Sequence, residues 1–287
     1  MGREAQEIGA QNEKHVMKIC DQHKDLLEQF FKNKILNKFK AYGRIKYNGK
    51  SVNAKTDIHD GGFYKIQVKN YQGSSSKGTP THVNSRKIYN FLSTCDPKLD
   101  NILNNYIFHT HNLLSSLCIL SKNEISCCNP DKSKYRIDKL KKLSEEQISN
   151  ALKYFKIKKT RRLFFECILL HENIKTRSDS HIPNILSSTD RNGNVKFSLY
   201  KHIINKLMDA DNINISYKKG VSISFKFPDD NTPIFTLTRE GGKTGKQNNL
   251  KSNLNSFYLM SLIEKKHVLH IKQNAVSASI PFFKKKV

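Results

Sequence analysis

The chain has 287 residues, 37% of them hydrophobic, enough for one large folded region or two small ones, and this excludes a wholly disordered tail. Fifty Lys and Arg against 25 Asp and Glu give a formal charge of +25, which favours a polyanionic partner even after part of the excess is assigned to an AT-rich codon bias. No apolar run approaches the ~20 residues of a spanning helix and no charged-then-apolar leader opens the sequence, so the expectation is a cytoplasmic protein without a membrane partner.

From about residue 4 to 40 the sequence predicts one long helix or two joined ones, with Val16, Ile19, Cys20, Leu27, Phe30 and Phe31 recurring at helical spacing. Three strands are expected next, Arg44 to Tyr47, Val52 to Ile58 and Phe63 to Tyr71, punctuated by the turn signals Asn48-Gly49 and Asp60-Gly61-Gly62. The polar stretch GSSSKGTPTHVNS reads as an exposed loop, with Ser74 to Thr81 beside the last of these strands. Helices near 84 to 92 and 98 to 107 and a buried strand over Leu113 to Leu120 follow. Ser144 and Gln147 form a capping box for a helix over 144 to 155, and a basic-fronted helix is expected over 159 to 172. Residues 178 to 194 read as turn-rich, and Phe197 to Met208 as a helix. VSISFKF then alternates with period two, and PDDNTP joins it to IFTLT as a hairpin.

The segment AKTDIHDGGFYKIQVKNY is the most informative. Asp57 lies on one strand and Gln67-x-Lys69 on the next, and side chains two apart on a strand share a face. A lysine in an otherwise apolar strand is costly without a reason, and Asp57 offers a carboxylate beside it. A hard cation such as magnesium takes such oxygen ligands, with Gln67 adding a neutral carbonyl oxygen. Phosphodiester hydrolysis needs a polarised phosphate and an activated water, and Lys69 suits orienting or helping to deprotonate that water.

An Asp followed ten residues later by Gln-x-Lys across a hairpin, preceded by a helix, resembles the PD-(D/E)XK nucleases, which include many restriction enzymes. Thr56 stands where the family has its proline, and Gln67 where Asp or Glu is usual, a position at which Gln also occurs. Many members carry a helical Glu in a Gly-x-x-x-Glu context, matched here by Gly9 to Glu13, whereas Glu7 falls on the opposite helix face. The resemblance covers about two fifths of the chain. It implies an α/β fold with a restriction-endonuclease-like αβββαβ core and a mixed sheet over 1–135, and an α+β extension over 136–287 for DNA recognition or partner binding. It implies Asp57, Gln67, Lys69 and Glu13 as catalytic residues, with Asp57, Gln67 and Glu13 holding Mg2+ or Mn2+.

The activity expected is magnesium-dependent cleavage of double-stranded DNA, most simply by a homodimeric type II restriction endonuclease. The rivals are a less specific nuclease subunit of an antiphage or repair system and a non-catalytic DNA-binding protein that keeps the fold. REGGKTGK supplies Arg239, Lys243 and Lys246 as weaker DNA contacts. Lys158, Lys159, Arg161 and Arg162 make a basic patch at a helix start. His109 and His111 have no Cys or acidic cluster nearby to complete a metal site, and the six cysteines lack paired spacing and read as reduced, buried thiols.

Overall fold

In a computed structural model the described residues are 2–47, 50–53, 56–70, 80–84, 156–170, 182–190, 192–216, 222–229, 232–239 and 249–273. The helices expected over 98 to 107 and 144 to 155, the strand over Leu113 to Leu120, and His109 and His111 lie outside them. The architecture is α/β, and no helix among the described residues is long and apolar enough to cross a membrane.

The chain forms two units that interleave along the sequence. The first comprises Met1–Thr79, Lys175–Lys206 and Asn255–Val287. Its centre is a six-stranded mixed sheet of β1 (Lys40–Ala41), β4 (Ile58–His59), β5 (Lys65–Asn70), β7 (Ile185–Thr189), β8 (Val195–Leu199) and β13 (Leu269–Ile271), in that order. Neighbours are antiparallel except β5 and β7, which run parallel. A parallel pair cannot be joined by a tight turn, so the chain must leave and return between them. The expected turn-rich segment over 178 to 194 therefore contains the central strand β7 and the turn into β8. Its Ser and Thr content hides a strand whose five residues are all buried. The helix expected from Phe197 likewise starts only at Tyr200, because VKFSL completes the sheet first.

α1 (Gly2–Gln22) and α2 (Lys24–Phe31) divide the expected long helix at His23. Val16, Ile19, Cys20, Leu27 and Phe31 are buried on one stripe and share a core with Ile58, Ile66, Val68, Ile185, Val195 and Phe197. The opposite face of the sheet is polar and lies under the last segment of the unit. There the Ser188 and Ser256 hydroxyls bond at 2.8 Å, Ser198 Oγ donates to the His267 carbonyl at 2.8 Å, and Lys196 Nζ sits 4.0 Å from the Phe257 ring centre. Ser256 and Phe257 begin α5 (Ser256–Ser261).

Of the three expected strands, the first, Arg44–Tyr47 (β2), pairs antiparallel with Lys50–Asn53 (β3), which takes in only the start of the expected Val52 to Ile58 run; the pair stands apart from the six-stranded sheet. The remainder of the second run is the short strand β4, separated from β3 by residues 54–57.

The second unit comprises Pro80–Ile174 and Leu207–Leu254. It carries an antiparallel sheet in the order β6 (Pro80–Asn84), β12 (Asn249–Leu254), β11 (Phe235–Arg239), β10 (Ser222–Lys226), β9 (Asn212–Ser216), together with α3 (Lys158–Leu170). The expected hairpin is present as β10 and β11. Phe165 of α3 packs on Phe225 and Phe235 with ring centres 5.0 and 5.5 Å away. The sequence PTHVN, expected as loop or helix start, is β6, whose partner lies some 170 residues downstream and leaves no local signal.

Candidate active site

The site strands are joined by a turn that Asp60 organises. Asp60 is 1% exposed; its Oδ1 accepts from the Gly62 and Tyr64 amides at 2.8 and 3.0 Å, and its Oδ2 accepts from the Leu36 amide at 3.0 Å. Gly61 takes a positive φ of 86°, a conformation a side chain would disfavour. Asp60 is thus the structural acid of this segment, satisfying three backbone donors that would otherwise be buried without partners.

Asp57 lies immediately before β4, directly opposite Gln67 in the continued register. Its amide donates to the Ile66 carbonyl at 3.0 Å, and its carbonyl accepts from the Tyr42 amide at 2.8 Å. Its carboxylate then replaces the ladder: Oδ2 accepts from the Val68 amide at 2.7 Å. A charged acceptor on a backbone N–H fixes the side chain more firmly than a neutral one, and this places the carboxylate beside Gln67 and Lys69.

Gln67 and Lys69 share the face of β5 opposite the one packed on α1, as period two requires. Gln67 is 4% exposed, and its Oε1 accepts a hydrogen bond from the hydroxyl of Tyr200, the first residue of α4 (Tyr200–Leu207). Tyr200 is held there by Asn184. The Asn184 carbonyl accepts from the Tyr200 amide at 2.9 Å, while its side chain accepts from the Lys65 amide at 3.1 Å and donates to the Phe63 carbonyl at 2.7 Å.

Glu13 completes the group from α1. Burial, then the nearby Asp57 carboxylate, raise its carboxyl to about 7, with Lys69 opposing them. Burial lowers the Lys69 ammonium below the usual lysine range, while Asp57 and Glu13 pull it back up. Burial and then Asp57 raise the Tyr200 phenol well above its ordinary value, so it is a hydroxyl donor at neutral pH. These shifts have the causes expected when two carboxylates and an ammonium are drawn together out of water. Glu7, by contrast, is exposed.

Among the described residues no group of three or more His, Cys, Asp or Glu is placed to hold a metal ion. The donor set here is two carboxylates and one amide oxygen. Magnesium binds through one or two carboxylates and keeps several waters, so these residues fit it; burial and then the Asp57 carboxylate raise Glu13, and a divalent cation would offset both.

The weaker expectations fare differently. Arg239 ends β11 in the second unit, and Lys243 and Lys246 lie outside the described residues, as does Ser74 to Thr79 of the expected loop. The basic patch at the start of α3 is split: Lys158, Lys159 and Arg162 are exposed, but Arg161 is buried and donates through Nη1 to the Ala210 carbonyl at 2.6 Å. Arg161 is thus a packing residue, and Arg162 is ion-paired with Glu166 at 3.3 Å. Cys20 is a buried free thiol.

Tyr200 and Asn184 are the site residues that the sequence did not indicate. Tyr200 lies 133 positions from Gln67, inside a run whose periodicity predicts helix, and nothing local links the two.

No family model, curated protein or solved structure matches this chain.

Proposed function

We propose that the protein is a magnesium-dependent endonuclease acting on double-stranded DNA, with its site formed by Glu13, Asp57, Gln67 and Lys69. The observation that carries this reading is the placement of Asp57 opposite Gln67, its carboxylate held by the Val68 amide at 2.7 Å on the strand that bears Lys69, with Glu13 of α1 within electrostatic reach of Asp57 and Lys69. The order of elements supports it: α1, the antiparallel run β1, β4 and β5, and β7 parallel to β5 supply the first helix, three strands and last strand of an αβββαβ arrangement. The charge of +25 supports a nucleic-acid substrate.

Glu13, Asp57 and the Gln67 carbonyl would hold the cation. When bound, magnesium supplies Lewis-acid polarisation of the scissile phosphate and charge neutralisation in the transition state. Lys69 donates to the attacking water or to a phosphate oxygen. Asp57 is held in place by the Val68 amide at 2.7 Å. The test is incubation of the purified chain with mixed-sequence plasmid and phage DNA, with magnesium or with EDTA. Discrete magnesium-dependent fragments are the restriction-type outcome, and smearing is the outcome for a defence or repair nuclease. A gel shift without cleavage would overturn the enzyme reading in favour of a non-catalytic DNA-binding protein.

A further inference from the structure

Gln67 stands where the resembling family places a carboxylate, and the difference has a geometric consequence. Both tips of a carboxylate are oxygens, so either can face a cation. An amide has one oxygen and one NH2, and only the oxygen can ligate. A buried glutamine serves a cation site only if something decides which end points into it.

The Tyr200 hydroxyl is placed to decide. Tyr200 is 3% exposed and its hydroxyl bonds to Gln67 Oε1, and Asp57 stands opposite Gln67 in the continued register of β4 and β5. A phenol is protonated at neutral pH and donates its single proton. With the amide turned the other way, its NH2 would face that O–H, donor against donor. A carbonyl oxygen has two lone pairs, so an oxygen that accepts from Tyr200 can also ligate a cation. Tyr200 is itself fixed, because its amide donates to the Asn184 carbonyl while the Asn184 side chain bonds to the backbone of Phe63 and Lys65 at the entry to β5.

We propose that Tyr200 is a positioning residue of the cation site, fixing through its hydroxyl which end of the Gln67 amide is presented as ligand. The proposal rests on the cation-site reading above. It differs from an ordinary buried hydrogen bond in one respect: the need for Tyr200 disappears when residue 67 has two equivalent oxygens.

The experiment is Mn2+ binding to the full chain, followed by electron paramagnetic resonance without DNA, in the wild type, Tyr200→Phe, Gln67→Glu, the double variant and Asp57→Asn. Thermal melts check that each variant folds; Tyr200→Phe keeps the ring. Removing an outer partner of a ligand typically weakens metal affinity 10–100-fold, so Tyr200→Phe is expected to weaken Mn2+ binding about 10-fold in the Gln67 protein. In the Gln67→Glu protein the same change is expected to leave affinity within about twofold, since no amide end remains to be chosen. Equal losses in both backgrounds would mark Tyr200 as merely structural, and no loss in the Gln67 protein would remove its role; either overturns the proposal alone. Wild-type binding no tighter than that of Asp57→Asn would overturn the cation-site reading beneath it as well.

Discussion

The two faces of the six-stranded sheet are built from the same strands and differ in almost everything else. One carries Ile58, Ile66, Val68, Ile185, Val195 and Phe197 against α1 and α2. The other carries Gln67, Lys69, Ser188, Lys196 and Ser198, each buried or half-buried. Burial on the first face needs only shape and apolar area, whereas burial on the second requires a partner for every polar group. Those partners are specific: Tyr200 for Gln67, Ser256 for Ser188, His267 for Ser198 and the Phe257 ring for Lys196. The first face holds the fold together, and the second holds side chains in place, which is the requirement for a reactive site.

Substitutions on the two faces should therefore fail in different ways. The largest effect is expected from Lys69→Ala and Asp57→Asn, which should lower magnesium-dependent cleavage by about 10²–10⁴-fold while gel shifts show DNA binding retained. Asp57→Asn is more informative than Asp57→Ala, because an amide oxygen still accepts from the Val68 amide. On the apolar face Ile66→Ala should cost about 2–5 kcal/mol in denaturant melts, with no change in the metal affinity of the fraction that stays folded.

A pH series sharpens the contrast. Glu13 holds its proton up to about 7 in the folded state, against an ordinary value of 4.5. Between those values the folded chain keeps a proton that the unfolded chain has released, so cation-free stability should fall as pH rises through this window. Glu13→Gln should flatten that dependence in thermal melts at pH 5 and pH 8, and should weaken magnesium binding. The smallest effect belongs to Ser188→Ala, which leaves the Ser256 hydroxyl without its partner and should cost about 1 kcal/mol in the same melts, with cleavage unchanged.

The apolar face was legible in the sequence because its signals are local. Val16, Ile19, Cys20, Leu27 and Phe31 repeat at helical spacing, and all five are buried as expected. The juxtaposition of Asp57 with Gln67 and Lys69 was legible for the same reason, since a short turn separates them. The strands β7 and β6 were not. ILSST has too little apolar pattern to announce a central strand, and PTHVN sits among serines and glycines; both are strands because of partners more than 100 residues away. Tyr200 shares that history, as its role depends on β7 and Asn184 delivering it to β5. Arg161 shows the converse failure: a run of cations reads as one exposed patch, but the helix turns one of its members inward.

The polar end of β5 is proposed as a magnesium-dependent site for cutting DNA. It is tested most directly by following supercoiled plasmid with wild-type, Lys69→Ala and Asp57→Asn proteins prepared in parallel, with magnesium and with EDTA. Nicked or linear product is expected only from the wild type with magnesium, together with undiminished gel shifts from both variants. Equal cleavage by the variants, or wild-type cleavage that persists in EDTA, would contradict it.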